Sequence, residues 1–353
     1  MIPTEESVSA EWFTQCLQDN GVPAQVVGFS GKPIGTGQIG KCIRYSLEYA
    51  PGAPASAPAS LVLKLASDDP VSRATGMALN NFLREVRFYQ QLQSRVSIRT
   101  PRCYFADIEG EGPEFALLLE DMAPAEQGDQ LRGCSPAVAE AAVLEVAGLH
   151  APTWCDDSLE HSGWLVTDQS EAPITTMDLY RSQLQPFLDY YGDRLQGDER
   201  EIIAAVAEAT EGPLAAPDLS VFSLVHVDYR LDNILIDTDN RVTAVDWQSV
   251  TLGAPLNDVA YFMGAGLLPD IRPQVEEGIV RAYHRRLGEL GVADFDFEDC
   301  WQAYRKGTFA GFAVTVIASC LVQHTDRGDE MFTAMARRHS RHAIDLGAAE
   351  FLR

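Results

Sequence analysis

The sequence predicts an α+β chain in two lobes: a small β-rich N-terminal lobe over residues 1–122 and a larger, mostly helical lobe over 123–353. Three observations predict it. The first 122 residues are rich in short apolar runs of strand character, with one long amphipathic helix among them. Helical periodicity then dominates 136–150, 177–195, 199–210, 274–291 and 297–320. Within that helical part, 234–246, ILIDTDNRVTAVD, reads instead as strand, turn and strand.

Each element has its own reason. Ser9 can cap a short helix, AEWFTQCLQ, that ends near Asn20 and Gly21. VVGFS and CIRYSLEY read as strands flanking a glycine-rich segment. The Pro/Ala/Ser-rich PGAPASAPAS is a surface loop leading into the strand SLVLKLA. In 77–93, MALNNFLREVRFYQQLQ, Leu79, Phe82, Leu83, Val86, Tyr89 and Leu92 share one helical face. PRCYFADIE and EFALLLEDM read as two further strands, followed by a short connection near 120–130. In the later hairpin, Thr238, Asp239 and Asn240 form the turn.

Composition narrows the partners. Lys plus Arg total 27 against 51 Asp plus Glu, a net charge of −24, which argues against a nucleic-acid or anionic-membrane surface. The opening MIPTEESVSAEWF has no basic or apolar signal character, and no apolar run reaches the roughly 20 residues needed to span a bilayer. Seven scattered cysteines (16, 42, 103, 134, 155, 300 and 320) without a CxxC pair suggest a reducing cytoplasm, not a disulfide framework or zinc site.

The chemistry concentrates in 226–237, HVDYRLDNILID. Asn233 lies just before the first strand of the hairpin and Asp246 just after the second, so antiparallel pairing places them side by side. An amide oxygen and a carboxylate are hard ligands suited to Mg²⁺. Asp228 lies five residues before Asn233 and His226 leads the loop. H-x-D-x-x-x-x-N followed by a strand-borne Asp is the layout of kinase-type phosphoryl transfer, which needs positioning and charge neutralisation more than covalent help.

The N-terminal lobe supplies the matching parts. Gly35, Gly37 and Gly40 form G-x-G-x-x-G between two strands, a context that favours a flap over nucleotide phosphates rather than a dinucleotide fold. Lys64 interrupts an apolar strand, where it either snorkels to solvent or binds phosphate. Glu85, on the next helix, either pairs with Lys64 or is an ordinary exposed glutamate. The backbone from Glu120 to Met122, at the end of EFALLLEDM, is a candidate adenine contact.

With these residues in view, the chain resembles the aminoglycoside phosphotransferase and choline kinase superfamily, and in DYRLDN and VDWQSVTLGAPLNDVAYFM most resembles bacterial ecdysteroid-kinase-like relatives and the kinase-like domains associated with acyl-CoA dehydrogenases. GTGQIG, Lys64, Glu85, LLLEDM, HVDYRLDNILID, VDWQ and G-x-P-x-x-D over 253–258 carry the resemblance through nearly the whole chain. It implies a two-lobed protein-kinase-like fold, with Asp228 as catalytic base, Asn233 and Asp246 as magnesium ligands and Lys64 as the phosphate-binding lysine. The implied cofactors are ATP and Mg²⁺, and the partner is a small hydroxylated acceptor. Two departures stand out. Val227 replaces a glycine common after the motif histidine, and Asp-Trp-Gln replaces the DFG-type triplet, so no mobile activation segment is expected.

Other residues carry softer expectations. His226 holds the loop by hydrogen bonds, and Asp258 anchors it through Arg230 or His226. His150 caps or packs, and Trp247 packs under the metal-binding loop. His324, His339 and His342 are expected on a solvated helix face. The acceptor stays open. The acidic stretch 107–129 suits a cation such as an aminoglycoside. Tyr180, Phe187, Tyr190, Tyr191, Phe262, Met263 and Phe309 either line an apolar pocket or pack the core. A nucleotide-binding pseudokinase is the competing reading, and a protein kinase the third.

Overall fold

The structure, a computed structural model, describes residues 2–35, 39–165, 175–210, 212–215, 218–322 and 324–352. The chain divides into two compact units. One comprises Met1–Ser94, Thr100–Pro124 and Asp246–Ser249; the other comprises Arg95–Arg99, Ala125–Val245 and Val250–Arg353.

In the first unit, β1 (Val26–Ile34), β2 (Gly40–Tyr49), β3 (Ser60–Ala66), β4 (Cys103–Ile108) and β5 (Phe115–Glu120) form one antiparallel sheet in the order β1-β2-β3-β5-β4. Period two along β3 sorts its side chains. Leu61, Leu63 and Leu65 join the core with Phe13 and Leu17 of α1 (Ala10–Asp19). Lys64 therefore goes to the opposite sheet face, where it meets Glu85 of a helix on that side.

The helix expected over 77–93 is instead α2 (Pro70–Ala78), α3 (Asn81–Arg87) and a π turn over Phe88–Leu92. The break falls at Asn80, whose φ of 56° is left-handed and cannot continue a right-handed helix. Leu79, expected on the buried face, is consequently 47% exposed, while Phe82, Val86, Tyr89 and Leu92 are buried.

The second unit is built from α4 (Pro136–His150), α5 (Thr176–Tyr191), α6 (Gly197–Glu208), α7 (Leu256–Gly266), α8 (Arg272–Glu289), α9 (Phe297–Gly307), α10 (Ala310–Leu321) and α11 (Asp326–Asp345). Short strands β6 (Glu126–Gln127), β8 (Ile234–Ile236) and β9 (Val242–Ala244) make one sheet, and β7 (Ser223–Val225) pairs with β10 (Thr251–Gly253). The β8–β9 hairpin forms as expected, with Asn240 at a φ of 60° in its turn. α4 opens with a side-chain cap: Ser135 accepts the Val138 N–H and Pro136 occupies the first turn. The single helix expected over 297–320 is two. At the junction, the Thr308 hydroxyl donates to Arg305 O and helps end α9.

α11 corrects the reading of the histidines. His324 is exposed, but His339 and His342 are fully buried. Phe332, Met335, Ala336, His339, His342 and Ala343 recur at helical spacing on the inward face, and the basic residues between them mask that stripe. Tyr180, Phe187, Tyr191, Phe262, Met263 and Phe309 are likewise fully buried in the core, and Tyr190 alone of that set is exposed. All seven cysteines are free thiols. Among the described residues, no helix is long and apolar enough to cross a membrane.

Candidate active site

In the first unit, Lys64 Nζ donates to Glu85 Oε1 at 2.7 Å and to Asp246 Oδ1 at 3.0 Å. Glu85 is buried in α3 and is no exposed surface glutamate. Burial opposes the charge on Lys64, but the Asp246 and Glu85 carboxylates more than offset it and raise the ammonium pKa. Burial pushes the Glu85 carboxyl up, against the pull of Lys64. The result is a fixed cation with one buried partner and one, Asp246, whose side chain is 39% exposed.

The segment carrying Asp246 is pinned. Trp247 is fully buried and stacks on Phe88 at 3.7 Å between centroids and 6° between planes. Asn81 Nδ2 donates to Gln248 O at 3.1 Å. Gly35 has a φ of 75°, a conformation that favours glycine. At Gly40 a Cβ would stand 3.1 Å from Lys64 Cε, so glycine there lets β2 pass close to the lysine. Gly37 lies outside the described residues.

At the end of β5, the Glu120 N–H donates to Arg102 O at 2.8 Å, and the Glu120 carboxylate accepts the Arg102 N–H at 3.1 Å. Asp121 is clamped by Arg44, whose Nη2 donates to its Oδ1 at 3.0 Å, and by the Ser60 hydroxyl, which donates to its Oδ2 at 2.6 Å. This clamp, unseen in the sequence, fixes the chain on which Met122 sits half-buried.

In the second unit, Asp258 organises the loop ahead of the hairpin. Its carboxylate accepts the N–H of His226 at 2.6 Å and of Val227 at 2.9 Å. His226 Nε2 donates to Val245 O at 3.0 Å, so the loop histidine binds backbone, as expected of a structural residue. The anchor runs through the His226 and Val227 backbone and not through Arg230. His150 joins the same network, with Nε2 at 3.3 Å from Asp258 and Nδ1 at 2.7 Å from the Tyr283 hydroxyl.

Asp228 itself is surrounded by donors. Arg230 Nε and the Tyr261 hydroxyl both donate to Oδ1 at 2.9 Å, and Asn233 Nδ2 donates to Oδ2 at 2.7 Å. Arg230 Nη1 continues to Asp232 at 2.8 Å, and Arg327 Nη2 reaches Asp232 at 3.2 Å. Burial opposes the Asp232 charge, but Arg230 and the Gln130 N–H hold its carboxyl below the usual range. Because the Asn233 amide spends its N–H₂ on Asp228, its oxygen is the group left to face a metal. Among the described residues no group of three or more His, Cys, Asp or Glu is arranged to hold a metal. An amide oxygen of this kind is a hard donor of the sort magnesium takes. Tyr261, absent from the sequence reading, could have been found only as a polar-tipped residue three positions after Asp258 on one helix face.

Residues 35–292 match the ecdysteroid kinase-like family. Acyl-CoA dehydrogenase family member 11 from Pongo abelii is 41% identical over 58 residues, which are 16% of this chain and 7% of that protein. Choline kinase from Cryptosporidium parvum superposes with a TM-score of 0.57 at 10% identity, covering 96% of this chain and 98% of that one. Spectinomycin phosphotransferase, solved with ADP and spectinomycin, gives 0.51 at 12% identity over 97% and 99%. At these identities the likeness shows a shared fold.

Proposed function

The chain belongs to the ecdysteroid kinase-like family, and from that premise we propose that it transfers the γ-phosphoryl group of ATP, with Mg²⁺, to a hydroxyl of a small molecule. The observation that carries the reading is Asp228, a carboxylate held by three side-chain donors on a loop gripped by Asp258. A nucleotide-binding module without turnover has no need of so constrained a base.

Each residue then has a role. Lys64, buttressed by Glu85, holds the phosphates, and Gly35, Gly37 and Gly40 cover them. The backbone of Glu120 and Met122 takes the adenine. Asp246 and the Asn233 amide oxygen would hold magnesium, which would supply neutralisation of phosphate charge. Asp228 orients the acceptor hydroxyl through Oδ2, the oxygen carrying a single side-chain donor. The acceptor oxygen bonds to the γ-phosphorus, the bond to the bridging oxygen breaks, ADP leaves, and the hydroxyl proton passes to Asp228 and then to water. Such base assistance is worth roughly 10²–10⁴-fold.

Two carboxylates of the second unit already have partners of their own. Asp232 is already matched by Arg230 and Arg327, and Asp329 accepts from His324 and the hydroxyls of Tyr190 and Tyr191. Incubation with Mg-ATP and a panel of aminoglycosides, choline, sterols, sugars and hydroxyacyl thioesters, read by mass spectrometry, tests the kinase reading. One acceptor gaining one phosphoryl group supports the reading; nucleotide binding with no product from any of them counts against it.

A further inference from the structure

Resting on that kinase reading, we propose that Tyr261 is a positioning residue for Asp228, and that His339, seated between Gly264 and Gly311, is the pedestal that keeps Tyr261 in place.

The first support is how α7 is used. Asp258 and Tyr261 are three residues apart and share a helix face. Asp258 grips the backbone of the catalytic loop at His226 and Val227. Tyr261 grips its side chain, donating to Asp228 Oδ1 at 2.9 Å. One rigid helix thus fixes both where the loop runs and how the carboxylate is turned. Arg230 donates to the same oxygen but sits two residues along the loop and moves with it. Tyr261 is the donor that refers the carboxylate to the scaffold.

The second support is what lies behind the tyrosine. The Tyr261 ring is fully buried and lies parallel to the His339 ring, 5.3 Å between centroids and 7° between planes. Neither His339 nitrogen has a hydrogen-bond partner among the described residues, so it contributes a flat ring rather than a polar contact. Burial, followed by the nearby His342, Arg272 and Arg338, pushes its pKa well below the usual histidine value and keeps the ring neutral. The slot exists because of two glycines. A Cβ on Gly264 would come within 2.7 Å of His339 Nδ1, and one on Gly311 within 2.2 Å. Three helices, α7, α10 and α11, therefore each give one element of the seat. With Arg230 and Tyr261 both on Oδ1, Oδ2 keeps Asn233 as its one side-chain donor. A misplacement of about 1 Å at such a group can cost on the order of 10²-fold in rate.

The test uses the full chain, Mg-ATP and ADP release with water as the acceptor, which needs no knowledge of the natural substrate. Tyr261→Phe is expected to lower kcat by about 10- to 100-fold, the worth of one hydrogen bond to a charged group, with KM for Mg-ATP within about two-fold. His339→Gln, which keeps bulk and loses the ring, is expected to show a smaller loss of the same kind. An unchanged kcat in Tyr261→Phe, or a loss confined to KM, overturns the proposal. A thermal cycle of Tyr261→Phe, Asp228→Asn and the double variant decides the contact separately. Midpoint shifts that fail to add support it, and additive shifts overturn it. A wild-type chain that turns over no ATP with any acceptor defeats the kinase reading, while that cycle still decides the Tyr261–Asp228 contact.

Discussion

Val227 holds a φ of 69° while its N–H donates to Asp258 at 2.9 Å. A β-branched residue is an outlier in the left-handed region, and the hydrogen bond to Asp258 is what keeps it there. The family resemblance leads one to expect glycine here, the residue that suits this conformation.

Val227→Gly should relieve roughly 1–2 kcal/mol of backbone strain and lose roughly 0.5–1 kcal/mol through the freer unfolded chain. The net change in urea unfolding is expected to stay within about 1 kcal/mol, with the loop still folded. Asp258→Ala, by contrast, strands the buried His226 N–H and the half-buried Val227 N–H and should cost about 2–4 kcal/mol.

Lys64→Met leaves Glu85 buried without its cation. That should destabilise the fold by about 3–5 kcal/mol, and adding Glu85→Leu should recover much of it. Denaturant midpoints measure the recovery. Nucleotide turnover is expected to stay lost in both variants, which separates the stability role of the pair from its role toward phosphate.

Trp247→Ala removes a fully buried ring stacked on Phe88. A loss of about 3–5 kcal/mol is expected by guanidinium unfolding. Trp247→Phe, which keeps a stacking partner, should lose clearly less.

Asp232 gives a pH dependence with a defined sign. Its folded pKa is lowered, Arg230 and the Gln130 N–H outweighing burial. The stability it contributes is therefore present above the ordinary carboxylate range and is lost as pH falls through its folded value. Asp232→Asn should flatten the acid limb of the melting-temperature profile relative to wild type. An equally steep limb would count against the role of this pair.

What the sequence revealed followed from locality. Ser9 capping α1 and the hairpin that runs between Asn233 and Asp246 are short-range patterns. What it hid depended on distant packing. The left-handed Asn80 that splits the expected helix has no local marker, and the basic residues of α11 drew His339 and His342 to the wrong face. The Arg44–Asp121–Ser60 clamp joins positions 77 and 61 residues apart. Tyr261 could be linked to Asp228 only once α7 had been placed against the loop.

The most direct test of the central claim is acceptor-dependent ADP release from Mg-ATP by wild type and by Asp228→Asn, side by side. The account predicts turnover that rises with one hydroxylated acceptor and falls by about 10²–10⁴-fold in the variant. Equal turnover in the two proteins would contradict the assignment of Asp228 and the mechanism built on it.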